Sequence, residues 1–157
     1  MTQAEFTGRV VAMQDTLYRI STTLLRQQCD REDAVQGAIE KALRGRERLR
    51  DDRALEKWLA RILINECYAL LRRRKRETLL EDLPERETES DANPDLYRLF
   101  TSLAEKYRLP MVLYYVEGYT VEEIAHMLRM PKGTLKSRLY RGRKLLRGSL
   151  DLKEVAS

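Results

Sequence analysis

The chain has 157 residues, 35% of them charged and 7% aromatic, with a formal net charge of +5. That length allows one ordinary domain or two small ones, and the charge content leaves enough Leu, Ile and Val only for small helical cores. Two distant cysteines and one histidine exclude a structural metal cluster and a disulfide framework, and fit a reducing compartment. Charge is unevenly spread. Residues 1–76 hold 17 Lys/Arg against 11 Asp/Glu, residues 77–96 one against eight, and residues 97–157 twelve against six. Two basic blocks around an acidic one point to two modules that each face a polyanion. The opening MTQAEFTGRV has no apolar secretory core, and no apolar run approaches membrane-spanning length. A cytoplasmic protein without membrane insertion is expected.

In chain order, Phe6, Val10, Met13, Leu17, Ile20 and Leu24 recur at steps of three and four, predicting a helix from about Gln3 to Gln28. Cys29-Asp30 breaks it. Asp30 then caps a second helix, Arg31 to about Leu43, with Ala34, Val35, Ala38, Ile39 and Ala42 inward. Gly37 inside that helix costs about 1 kcal/mol relative to alanine. RERLRDDR at 46–53 is a charged connector. A third helix follows, from about Ala54 to Arg76, with Leu55, Trp58, Leu59, Ile62, Leu63, Leu70 and Leu71 as its buried face and Trp58 as a core anchor. Asn65 interrupts an otherwise apolar run. The helix ends in Arg72-Arg73-Arg74-Lys75-Arg76. A helix C-terminus favours cations, but five in a row exceed what the dipole explains and point to phosphate contact.

Residues 77–94 have the composition of an acidic, flexible linker, with Pro84, Pro94 and little to bury. Asp95 to about Tyr107 reads as a helix with Leu96, Leu99, Phe100 and Leu103 inward, and Pro110 opens another to Glu117. Then comes the most informative stretch, Gly118 to Leu146. Thr120 and Glu123 make a capping box, and Gly118 closes the helix before it in a left-handed conformation. A short helix from about Val121 to Leu128, a turn at Arg129–Gly133 and a second helix opened by Pro131 form a helix-turn-helix. Leu135, Leu139, Leu145 and Leu146 are its inner side. Lys136, Ser137, Arg138, Tyr140, Arg141, Arg143 and Lys144 can meet phosphates and base edges in a major groove. Arg129 stands at a turn position where glycine is common, at a cost of roughly 1–2 kcal/mol if its backbone is left-handed. Nothing alternates with period two over a sustained run. The expectation is an all-α protein of two small helical domains, 1–76 and 95–157, joined by the acidic linker 77–94, the second a four-helix unit.

Three stretches carry a family resemblance: DREDAVQGAIEKAL at 30–43, LEKWLARILINECYALLRRRKR at 55–76 and EGYTVEEIAHMLRMPKGTLKSRLYRGRKLLR at 117–147. In this order the chain resembles a bacterial sigma factor of the extracytoplasmic-function (ECF) group. The resemblance implies a DNA-binding specificity subunit, without cofactor or catalysis of its own, that binds core RNA polymerase and promoter DNA and is held by an anti-sigma factor. It implies that Asp33 and Gln36 dock on the clamp helices of the polymerase. Asn65 matches a position that reads the non-template strand of the −10 element. The connector from about Leu49 to Leu55, which carries Arg50 and Arg53, matches the loop that captures a flipped −10 base, and Arg72 begins the adjoining basic run. Lys136, Ser137, Tyr140 and Arg141 match positions on the −35 element, with Arg138 and Arg143 among them. The chain departs from the family pattern at Gly37, often acidic, at Arg129, usually glycine, in its short N-terminus and in its highly charged connector.

Two other classes compete. A stand-alone helix-turn-helix regulator leaves the helix of Trp58, Asn65 and the basic run without a role. An enzyme acting on nucleic acid needs a metal cluster, a nucleotide loop or a histidine constellation, and the sequence offers none of these.

Overall fold

A computed structural model describes residues 1–78, 100 and 102–156. The chain divides into two compact units, Met1–Glu89 and Ser90–Ser157. Among the described residues every regular element is helical.

The first unit starts with α1, Gln3–Ala12, capped by a reciprocal box in which the Thr2 hydroxyl accepts from the Glu5 amide and the Glu5 carboxylate accepts from the Thr2 amide, both at 3.1 Å. The single helix expected to Gln28 is in fact two. Met13 (φ −84°, ψ −7°) ends α1 and starts α2, Gln14–Leu24. The Met13 amide splits its bond between the Arg9 and Val10 carbonyls, a tightening toward three-residue turns. The apolar stripe runs unbroken through this bend: Phe6, Val10, Met13, Leu17, Ile20 and Leu24 are all buried. Leu25 is extended and Arg31, itself buried, donates to the Leu25 carbonyl at 2.9 Å and the Arg26 carbonyl at 3.1 Å, tying down the link.

The next helix, α3, spans Gln28–Arg44. It begins three residues before the expected start, so Asp30 lies in its first turn and is not its cap. The reason is a distant partner: Arg74 donates to the two Asp30 carboxylate oxygens at 2.8 and 3.1 Å and to the Gln27 side-chain carbonyl at 3.0 Å. Ala34, Val35, Ala38 and Ala42 are buried as expected, while Ile39 is half-buried. These small residues let α3 lie close to α4, Leu55–Thr78. A Cβ on Gly37 would stand 3.0 Å from a Glu66 carboxylate oxygen of α4, and Glu66 is ion-paired with Lys41.

On α4 the buried stripe is Leu55, Leu59, Ala60, Leu63, Ile64 and Cys67. Trp58, Ile62, Leu70 and Leu71, expected on that face, are only half-buried. The stripe is therefore rotated toward the small residues, and Trp58 leaves the core for the side of a cleft. Burial pushes the Cys67 thiol up to about 12, so it stays neutral, a small apolar packing group. The charged connector carries two short three-residue helical turns, Arg46–Arg48 and Asp52–Ala54.

The expected linker 77–94 lies outside the described residues, except that 77 and 78 continue α4 of the first unit. Residues 95–99 and 101 of the expected helix 95–107 lie outside them too; Phe100 and Leu103 are buried as expected, but residues 102–104 are not helical and the next helix starts only at Glu105. Pro110 does not open a helix. It lies inside α5, Glu105–Met111, which widens into a π turn at Val112–Val116. Pro110 offers no amide to the Lys106 carbonyl one turn back. The wider turn still closes in order, the Glu117 amide reaching the Val112 carbonyl at 3.0 Å.

Candidate nucleic-acid interface

Local chemistry sets the geometry of the second unit's helix-turn-helix. Gly118 takes φ +76°, and the Thr120 hydroxyl accepts from the Glu123 amide at 3.2 Å while the Glu123 carboxylate accepts from the Thr120 amide at 3.3 Å. This starts α6, Val121–Leu128, which buries Ile124, Ala125 and Met127, with Leu128 half-buried and His126 exposed. Arg129 is left-handed, φ 53° and ψ 50°. Its amide bonds to the His126 carbonyl at 3.3 Å and the Met130 amide to the Ala125 carbonyl at 3.0 Å, the paired closure of a Schellman motif. Glycine at 129 would relieve roughly 1–2 kcal/mol of left-handed strain and add back roughly 0.5–1 kcal/mol of unfolded-chain entropy. Arg129→Gly is therefore expected to stabilise this unit by up to about 1.5 kcal/mol, read as a higher denaturation midpoint, with no loss of DNA affinity.

After the turn comes α7, Lys132–Ala156. It begins one residue later than expected, and Pro131 occupies the cap position, its carbonyl accepting from the Leu135 amide at 3.1 Å. Leu135 and Leu139 are buried as expected. The inner side then departs from the leucine pattern: Leu145 is 49% exposed and Leu146 half-buried, while Gly142 is buried. A Cβ at Gly142 would stand 3.0 Å from the Cγ and Sδ of Met111, so α5 lies too close there for a larger residue.

Of the six residues proposed for duplex reading, five lie off this buried side, while Arg138 falls beside Leu135 and Gly142. Lys136, Ser137, Tyr140, Arg141 and Arg143 are exposed, and Arg138 is half-buried. Lys136, Tyr140, Arg143 and Arg147 fall at steps of four and three, hence on one face, and Ser137, Arg141 and Lys144 do the same on another. One of the arginines is tethered: the Tyr115 hydroxyl accepts from Arg143 at 3.3 Å. The Arg141 guanidinium holds the Tyr107 phenol below its usual range. The Lys144 ammonium sits 4.8 Å from the centre of the Tyr140 ring. Lys132 pairs with Glu122 at 3.1 Å and joins the two helices of the motif.

The first unit holds the other candidates. Asn65 and Arg72 are exposed and seven residues apart, so they share a face of α4 with Trp58. A cleft of about 390 Å³ opens there, lined by Lys41, Arg44, Arg48, Trp58, Ile62 and Asn65 among others. Its combination of three cations, an aromatic ring and an amide was missed by reading Trp58 as core. The seven-residue step from Trp58 to Asn65 was the available signal. Arg50 and Arg53 are exposed on the connector, Arg53 held by Asp51 at 3.3 Å. Asp33 and Gln36 are exposed one turn apart on the outer side of α3. Arg74, in the middle of the basic run, is committed to Asp30 and is not available in the way Arg72 is. Among the described residues no three His, Cys, Asp or Glu side chains stand together as metal ligands, and no helix is long and apolar enough to cross a membrane.

Comparison with known proteins bears on both units. A family model described as Sigma-70 region 2 matches residues 10–77, and one described as Sigma-70, region 4 matches residues 95–146. The ECF RNA polymerase sigma factor SigM of Mycobacterium tuberculosis is 33% identical over 132 residues, which cover 81% of this chain and 67% of the relative. The RNA polymerase sigma-E factor of Streptomyces coelicolor is 33% identical over 157 residues, covering 96% of this chain and 89% of the relative. The chain belongs to the ECF sigma factors. A solved relative, the sigma factor RpoE of Bartonella quintana in complex with the anti-sigma factor NepR, has a TM-score of 0.82 at 26% identity, covering 94% of this chain and 97% of its own. The region 2 match of this sigma factor takes in all of α2, α3, the connector and nearly all of α4, and ends at Glu77. Its region 4 match takes in the whole helix-turn-helix and stops at Leu146, ten residues before the end of α7.

Proposed function

We propose that this sigma factor divides promoter recognition between its two units. An ECF sigma factor directs RNA polymerase to promoters. Here the second unit reads the −35 element as duplex, with Lys136, Ser137, Arg138, Tyr140, Arg141 and Arg143 of α7 in the major groove. The first unit reads the −10 element as it opens. Asn65 meets an unstacked base, and Arg50, Arg53 and Arg72 hold the single strand. Asp33 and Gln36 dock on core polymerase. The observation that carries this reading is the two-sided character of α7: Leu135, Leu139 and Gly142 are buried, while Lys136, Arg141, Arg143 and Lys144 are exposed. A rigid helix with a cationic outer face suits duplex readout, and a basic helix beside an aromatic-walled cleft suits an opened strand.

Family members are initiation factors, and this chain acts without catalysis of its own, in the cytoplasm with the polymerase. An anti-sigma protein is its third partner, as NepR is for the solved relative. The stand-alone regulator is not favoured, because a plain duplex binder has no use for a unit that matches region 2.

Capture of bacterial core RNA polymerase by the purified chain tests the reading. Stoichiometric capture is expected, weakened at least about tenfold, or 1.4 kcal/mol, in the Asp33→Arg/Gln36→Ala variant. Absent capture at modest salt by a folded, helical protein would return the chain to the stand-alone class. Undiminished capture by the variant would move the docking face elsewhere on the first unit.

A further inference from the structure

The connector between α3 and α4 is held from outside by α1. The Arg9 guanidinium forks onto the Glu56 carboxylate, Nε to Oε1 at 2.8 Å and Nη2 to Oε2 at 2.7 Å. The same Nη2 also donates to the Asp52 carbonyl at 2.7 Å. One side chain thus joins the second turn of the connector to the first turn of α4. At the other end, Arg46 lies over the ring of Phe6, its guanidinium carbon 5.6 Å from the centroid. Phe6 and Arg9 are three residues apart on α1, and Phe6 is fully buried. A helix anchored in the core therefore touches both ends of residues 46–54. Inside that span Asp51 caps its own turn, accepting from the Arg53 amide at 3.0 Å and from the Arg53 side chain at 3.3 Å.

Arg9 lies one residue before the region 2 match begins at Val10. The two groups it holds, the Asp52 carbonyl and the Glu56 carboxylate, lie inside that match. We infer that Arg9 is a positioning residue: through Glu56 and the Asp52 carbonyl it sets the path of the connector, and so the presentation of Arg50 and Arg53 to the opened −10 strand. The inference rests on the reading of the connector given under Proposed function. A loop that must meet an unstacked base benefits from a fixed path, since strand capture by a wandering loop carries the ordering cost at the moment of binding. Only arginine fits the role. Its planar fork satisfies a carboxylate with two parallel bonds and still has a donor for the carbonyl, whereas a lysine ammonium is a point donor. The pairing also holds the Glu56 carboxyl below its usual range.

The test compares holoenzymes carrying the full-length chain with Arg9, Arg9→Lys or Arg9→Gln. Arg9→Lys keeps charge and helix propensity and guards against misfolding of the glutamine variant. Two readouts are taken. Limited trypsin cleavage after Arg48 and Arg53, followed by mass spectrometry, reports the order of the connector whatever it binds. Permanganate reactivity of −10 thymines, on a promoter where the holoenzyme initiates, reports strand opening. Both variants are expected to retain helicity, core capture and −35 duplex affinity. Connector cleavage should rise about tenfold, as local opening becomes easier, and thymine reactivity should fall by a similar factor. Unchanged cleavage would overturn the brace. Faster cleavage with normal opening would overturn the positioning role, and the Arg50→Ala/Arg53→Ala variant then separates the causes. If that variant fails to open the promoter, only the inference about Arg9 is wrong. If it opens normally, the connector reading has failed as well.

Discussion

Leu63→Ala is expected to destabilise the first unit by about 2–5 kcal/mol, the range for removing a leucine from a packed core. Leu63 is fully buried in the middle of α4, where that helix meets α2 and α3. For a unit of this size the melting midpoint should fall by roughly 10–25 °C. Its neighbour makes the control. Ile62 is half-buried on the cleft side, so Ile62→Ala should cost about 1 kcal/mol, in proportion to the apolar area it already leaves in water. Similar losses from both variants would mean that α4 is rotated about its axis relative to the packing described. The affinity of the second unit for duplex DNA should be unchanged in either variant, because the two are separate compact units.

The contrast between Leu63 and Ile62 also shows where sequence reading stopped. Periodicity placed both on one buried stripe, since a wide apolar face looks the same whichever edge is covered. What decides the edge is the partner. Ala34, Ala38 and Gly37 on α3 draw Ala60, Leu63 and Cys67 inward and leave Trp58 and Ile62 beside the cleft. The Asp30 cap failed for a similar reason. A short polar residue before an apolar run is a sound local signal, but Arg74, 44 residues away in sequence, holds the carboxylate more strongly than an amide of its own helix. Met13 carries no breaker at all. Its bend is made by the two halves of one stripe each seeking the core, which no window of sequence shows. Pro110 was read as a helix start because proline is tolerated there, yet the interior of a helix also accommodates it where the next turn widens.

By contrast, the helix-turn-helix was legible almost residue by residue. Its determinants are local: the Thr120–Glu123 box and the left-handed Gly118 and Arg129. Gly133, expected in the turn, lies instead in the first turn of α7. Local hydrogen bonds form between near neighbours whatever surrounds them, so their signature survives in sequence. The outer face of α7 was legible for the same reason. Its inner face was less so, because the exposure of Leu145 and the burial of Gly142 depend on how closely α5 approaches. The candidates of the first unit were visible as types, an amide in an apolar run and a string of cations. Which cations remain available depended on the fold, and Arg74 is the one the fold consumed.

Arg141→Ala is expected to weaken binding to a duplex −35 element by about 1–3 kcal/mol, roughly 5- to 150-fold, if the guanidinium bonds a base edge. Arg141 is exposed on the face it shares with Ser137 and Lys144. A base contact and a phosphate contact leave different traces. If Arg141 reads a base, the alanine variant loses discrimination between the −35 duplex and a scrambled one, and the salt dependence of binding hardly moves. If Arg141 holds a phosphate, both duplexes lose affinity equally and the salt slope falls by about one. Measuring both duplexes across a salt series therefore assigns Arg141 to one role or the other. The same series on Arg143→Ala, whose guanidinium is turned toward the Tyr115 hydroxyl, should show the phosphate pattern.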